Sequence, residues 1–135
     1  MWGADDPFGR KPLWWKELKF KPENRNNISK QKPVYEKVGF NQATFNFYKK
    51  LIQIRKSHPV LVDGEIEFLI SSDKKLAYKR YTDKDEIIVL FNLEANKQIF
   101  DLPSENYIDL ITGKRIPGNK IKLKSMEGLV LKKQF

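Results

Sequence analysis

The hydrophobic period of this chain changes once, at Pro59, and that change sets most of what the chain can become. Ahead of it, Phe47, Leu51 and Ile54, joined by Tyr48 and Ile52, recur at helical spacing, with Lys49, Lys50, Arg55 and Lys56 opposite or at the end. Asn41 is suited to cap this helix before Gln42-Ala43-Thr44-Phe45. Cations in the last turn suit the helix dipole, and Pro59 ends the element. Beyond Pro59 the pattern is one of strands: Glu65 to Ile70, Leu76 to Tyr81, Glu86 to Leu93, Lys97 to Leu102, Tyr107 to Leu110, Lys120 to Leu123 and Gly128 to Lys132. Ser71-Ser72-Asp73, Asp83-Lys84-Asp85, Ala95-Asn96, Thr112-Gly113 and Pro117-Gly118-Asn119 supply turns between them, and Met126-Glu127-Gly128 reads as a turn into the last run. Ile87 to Phe91 is continuously apolar and belongs at a sheet centre, while Lys120 to Lys124 alternates like a strand with one wet face. Short strands in series without intervening helices argue an antiparallel β-sandwich. The expected fold class is mainly β, with an irregular loop and one α-helix ahead of the sandwich.

Composition narrows the chemistry. A chain of 135 residues can bury a core without covalent staples. The absence of Cys removes disulfides, thiolate metal sites and Cys nucleophiles together. His58 is the only histidine, so it has no partner for a metal, and its place before Pro59 predicts a contact to helix carbonyls. Neither a metal nor another cofactor is expected. No apolar stretch approaches the length of a membrane span, and the first residues lack the layout of a signal peptide, so the expected compartment is the cytoplasm, with no membrane partner.

Charge is lopsided. Residues 1–60 hold 13 Lys and Arg against 5 Asp and Glu, whereas residues 61–135 hold 13 against 12. A basic half with interleaved aromatics raises a nucleic-acid-binding domain with an OB-like barrel as one reading. The cations, however, stand one or two at a time between apolar residues, which favours a solvated Lys-rich surface.

The densest segment is the first fifteen residues, where Asp5-Asp6-Pro7, Gly9, Arg10, Pro12 and the indoles of Trp2, Trp14 and Trp15 crowd a stretch that cannot be helical through Pro12. Indole faces stack on pyranose rings, and a carboxylate beside a guanidinium can share sugar hydroxyls. The bland alternative is an arm whose aromatics pack on a core. The run Met1-Trp2-Gly3-Ala4-Asp5-Asp6-Pro7-Phe8-Gly9-Arg10-Lys11-Pro12-Leu13-Trp14-Trp15 resembles the G-x-x-D-P-x-x-R-x-P-M-x-W segment of the alpha-amylase superfamily, glycoside hydrolase family 13. Asn46 to Leu61 is similar to the FYKKLIxLRKxHPxL helix of the same enzymes. The likeness is nearest to the alpha-glucosidase, neopullulanase and cyclomaltodextrinase branch.

That resemblance implies a division of labour. Residues 1–58 would be the loop after strand eight and the last helix of a (β/α)8 barrel, and residues 59–135 would be domain C, a Greek-key β-sandwich. It implies that Asp6 and Arg10 contact sugar away from the scissile bond; Trp2, with an indole face suited to stacking on a sugar ring, is a further candidate for substrate contact. Leu13 stands where the family commonly has Met, and Phe8-Gly9 replaces a more usual polar pair. At least one of Trp14 and Trp15 is expected to pack as core. Retaining glycosidases need two carboxyl groups about 5 Å apart. In this superfamily the nucleophile Asp, the acid Glu and the Asp of an Asn-His-Asp motif lie on earlier strands, and no Asn-His-Asp occurs here. The expected function is therefore a small subunit or fragment of an α-glucan-active glycoside hydrolase, inactive alone. Its partners would be a barrel-bearing catalytic chain, or a second copy, and an α-glucan oligosaccharide once assembled. Met1 falls inside the recognised motif, which favours a split gene over an excised domain; a non-catalytic carbohydrate-binding or structural sandwich is the alternative.

Overall fold

A computed structural model describes residues 15–19, 21–24, 35–103 and 106–134. The chain divides into two compact units, Met1–Asn46 and Phe47–Phe135. In the first, β1 (Glu23–Asn24) and β2 (Tyr35–Glu36) form a short antiparallel pair in the stretch ahead of the helix, where the sequence led us to expect only an irregular loop. A turn closes where the Leu18 N–H donates to the Trp15 carbonyl at 3.1 Å.

Helix α1 (Gln42–Ser57) starts as its sequence dictates: the Thr44 N–H donates to Asn41 Oδ1 at 3.0 Å, satisfying one of the donors a helix start leaves open. A second, short helix, α2 (Val60–Asp63), follows at once. Its Val-Leu-Val-Asp sequence reads as strand, yet Pro59 sets the entry, and Arg55 Nη1 and Arg80 Nη2 donate to the Leu61 and Val62 carbonyls. Gly64 makes the exit possible by close approach, since a Cβ there would lie 2.5 Å from the Val60 carbonyl oxygen and 2.9 Å from that of Tyr81.

The second unit continues as β3 (Glu65–Ser71), β4 (Lys75–Tyr81), β5 (Glu86–Asn92), β6 (Gln98–Asp101), β7 (Asn106–Asp109), β8 (Arg115–Pro117), β9 (Lys120–Leu123) and β10 (Glu127–Lys133). A six-stranded antiparallel sheet has the order β3-β4-β5-β10-β7-β8, and β6 pairs with β9 in a separate two-stranded ribbon. After β5 the chain crosses to the ribbon, returns for β7 and β8, crosses again for β9, and finishes with β10 between β5 and β7. The layers are the expected Greek-key sandwich.

Pairing fixes which side chains share a face. Ala77, Ile88, Leu90, Tyr107 and Leu131 of the sheet pack with Phe100, Ile121 and Leu123 of the ribbon as one buried cluster. Ile87 and Val89, alternate residues of β5, point to the other face and are covered by Val60 of α2, with Leu61, Tyr78, Leu110 and Val130 packed around them. This two-sided burial explains why β5 is continuously apolar. Asn92 continues the ribbon-facing set and is fully buried. Its amide donates to the carbonyls of Asn96 and Lys124, and Oδ1 accepts from the Glu94 N–H, so one side chain ties the layers together.

Candidate functional site

Asp6 and Arg10, the sugar-contacting pair implied by the N-terminal motif, and Trp2, the further candidate for substrate contact, lie outside the described residues, as does Trp14. Trp15 is described and is exposed. His58 does what its position predicts, with Nδ1 2.8 Å from the Ile54 carbonyl oxygen at the end of α1. Among the described residues no three His, Cys, Asp or Glu side chains converge in a way that could hold a metal. No helix among them is long and apolar enough to cross a membrane.

The described feature with functional weight is α1. Every residue from Gln42 to Lys50 is exposed, and only Ile54 of the whole helix is buried. Phe47 keeps 47%, Tyr48 62% and Ile52 53% of their surface open, beside half-buried Leu51. Phe47 and Tyr48 meet edge to face at 6.4 Å between ring centres, which leaves both apolar bodies toward solvent. A 16-residue helix is only marginally stable in water from its own hydrogen bonds, so most of its stability should come from packing this stripe. Nothing in the described residues supplies that packing beyond the last turns.

Two ordered polar pairs line the β3–β4 edge of the sheet. Tyr81 donates its hydroxyl to Glu65 at 2.9 Å, and Lys79 Nζ sits 2.9 Å from Glu67 Oε2 and 4.8 Å from the Tyr81 ring centre. The hydrogen bond to the Glu65 carboxylate holds the Tyr81 phenol above its ordinary value. That to Glu67 likewise raises the Lys79 ammonium. Glu65 and Tyr81 line a shallow pocket with Asp63, Thr82 and Asp83, but Glu65 and Glu67 are exposed to solvent, so neither pair has the desolvated setting that acid–base work needs.

No protein-family model matches the chain. It is 36% identical over 91 residues to alpha-amylase 2 of Dictyoglomus thermophilum, covering 67% of this chain and 16% of that protein. It is also 33% identical over 102 residues to the cyclomaltodextrinase of Thermoanaerobacter pseudethanolicus, covering 73% of this chain and 18% of that one. This is an alpha-amylase superfamily chain. In structure it is similar to the trehalulose synthase MutB from Pseudomonas mesoacidophila MX-45, with a TM-score of 0.57 and 27% identity over 65% of this chain and 17% of that one. A structure of AmyP with maltose has a TM-score of 0.60 at 21% identity, a likeness of fold. The chain thus spans less than a fifth of the curated superfamily relatives it matches. Its architecture is that of the superfamily's C-terminal sandwich with the preceding helix.

Proposed function

We propose that this chain is the C-terminal portion of an α-glucan-active glycoside hydrolase and works with a catalytic barrel whose carboxylates lie outside these 135 residues. Residues 1–58 complete the barrel with its last loop and helix, and residues 59–135 form domain C. The observation that carries this reading is the uncovered stripe of α1, in a chain that matches only 16% of an alpha-amylase and 18% of a cyclomaltodextrinase. A helix of that kind needs an apolar body to lie on, and the missing part of such an enzyme provides one.

In the assembled enzyme the nucleophile and the general acid flank the scissile bond on the barrel, and this chain moves no proton. Asp6 and Arg10 clamp hydroxyls of a sugar ring away from that bond, and Trp2 offers its indole face to the sugar. A paired carboxylate and guanidinium are pre-organised for this work, so the substrate is aligned at little ordering cost. In the arrangement we favour, the chain is a small subunit that joins a barrel-bearing chain.

The test combines association with kinetics. The purified chain is expected to turn over neither maltose, pullulan nor cyclodextrin, and to gain activity on mixing with a barrel-bearing chain from the same organism, recognised by its Asp, Glu and Asn-His-Asp motifs. In that complex Arg10→Ala should cost about 2–4 kcal/mol in kcat/KM on long oligosaccharides, by removing a fork of donors and stranding Asp6, and less on substrates too short to reach the subsite. Turnover by the chain alone would refute the reading outright. Equal losses on long and short substrates would assign Asp6 and Arg10 a structural role instead.

A further inference from the structure

At its β7–β8 edge the six-stranded sheet carries a cleft of about 500 Å3, lined by Asn106, Tyr107, Arg115, Pro117 and Gln134. Register brings these residues together from three strands. Asn106 stands opposite Pro117, Arg115 opposite Ile108, and Ile108 opposite Lys132. Alternation therefore puts Asn106, Arg115 and Pro117 on one face, joined by Gln134 two residues past Lys132. Gln134 is held there by its N–H, which donates to the Asn106 carbonyl at 3.0 Å. Tyr107 alternates to the opposite face and is buried in the core, which anchors the floor of the cleft. Helix α2 lies over β4 and β5, on the far side of β10, and Asn106, Arg115, Pro117 and Gln134 all remain exposed.

The lining is of one chemical kind. Among the described residues no hydrogen bond or ion pair engages the side chains of Asn106, Arg115 or Gln134, so their full bonding capacity faces the cleft. Each ends in a planar fork. The guanidinium offers donors alone, and each carboxamide sets a donor beside an acceptor. No carboxylate or ammonium group of the described residues lines the cleft. A sugar hydroxyl both donates and accepts, so two neighbouring hydroxyls satisfy a carboxamide completely and two more accept from the guanidinium. An anion would use the guanidinium but only the donor half of each amide. An apolar ligand would find Pro117 and little else. The volume lies within the range of small-molecule sites, roughly 300–1,000 Å3.

We propose that this cleft binds a saccharide. Asn106 and Gln134 take paired hydroxyls through their amides, Arg115 donates a further fork, and the Pro117 ring lies against the C–H face of the sugar. The saccharide at hand for an α-glucan-active enzyme is an α-glucan, and in that choice of ligand the proposal rests on the functional reading above. Tyr107 is only 1% exposed, so no aromatic ring is open for stacking. Binding is accordingly weak, with a Kd on the order of millimolar, and its effect is to keep a glucan chain on this sandwich.

Amide nuclear magnetic resonance of the full chain, titrated with maltotriose, reads the site without needing an active enzyme. Saturable shifts should concentrate at Asn106, Arg115 and Gln134, side-chain amides included. Arg115→Ala and Gln134→Ala alter exposed positions, should leave the melting temperature as it is, and should each weaken binding by about 10-fold, the scale of one lost hydrogen bond. Arg115→Lys keeps the charge but loses the fork, and should weaken binding nearly as much. Full affinity in Arg115→Lys, with the same shifts produced by inorganic phosphate, would overturn the proposal in favour of an anion site. Shifts confined to the Asp6–Arg10 loop, or none well above millimolar maltotriose, would also overturn it. The functional reading would then still stand if mixing with the barrel-bearing chain yields activity. If mixing yields none while the shifts at Asn106, Arg115 and Gln134 persist, that reading falls and the saccharide site stands.

Discussion

Asn92 offers a quantitative check on how the two layers are joined. Its side-chain nitrogen lies 2.7 Å from the Lys124 carbonyl oxygen and 2.9 Å from that of Asn96, with the Leu123 carbonyl at a marginal 3.4 Å; Oδ1 lies 3.0 Å from the Glu94 nitrogen. Replacement by Ala removes three well-formed bonds at a site with no solvent access. At about 1 kcal/mol for each, the loss is about 3 kcal/mol, a depression of the melting temperature by about 12 °C or more for a domain of this size. Asn92→Asp separates shape from donation, since it keeps volume and the acceptor for Glu94 but turns an oxygen toward the carbonyls. It should be at least as destabilising as Ala at neutral pH. Urea unfolding of the chain, followed by circular dichroism, measures both, with exposed Asn96→Ala as the control expected within about 0.5 kcal/mol of wild type. Wild-type stability in Asn92→Asp would refute the reasoning, because the donors would then contribute nothing.

Two further outcomes follow from the geometry. Gly64→Ala should destabilise by about 2 kcal/mol or more in the same urea assay, because the new methyl meets backbone oxygens that cannot rotate away, whereas Gly39→Ala, with open space around it, should not. Tyr81 should ionise later than an unperturbed tyrosine in an ultraviolet titration, and Glu65→Gln, by removing the carboxylate charge, should reduce the delay. Its folded pKa is raised, so the stability from this bond is fully present below the ordinary value of 10.0 and is lost as pH climbs through the folded value.

Strand content was legible because alternation and turn chemistry agree. Seven expected strands appear within about two residues of their ends, from Glu65–Ser71 to Glu127–Lys133. Strand β8 was hidden because Arg115-Ile116-Pro117 is too short to show a period, lies between two turns and contains a proline. Helix α2 was hidden because β-branched residues at Val60 and Val62 vote for strand, while the contacts that hold it come from Arg55 and Arg80, distant in sequence or outside the window. The alignment of Arg80, Lys132 and Arg115 across the sheet was invisible for a related reason: they come from three strands, and only register brings them to one line. Asp6, Arg10 and Trp2 lie outside the described residues, and the sugar-contacting role proposed for them rests on resemblance and residue chemistry, since it depends on a sugar and on barrel residues this sequence does not contain.

Placing β10 between β5 and β7 has a consequence for how the sandwich acquires its shape. Strands β3, β4 and β5 can zip by local hairpins, and β7 with β8 by another, but the two halves have no direct pairing. Until Glu127–Lys133 inserts, β5 and β7 each present a raw edge of unpaired amides and carbonyls, and the seven residues that join them arrive after both. Such a sheet closes like a keystone arch. Its slow step is the search of one short segment for a slot whose β5 wall lies some forty residues back in sequence, and the open slot is the state most at risk of capturing a strand from another molecule.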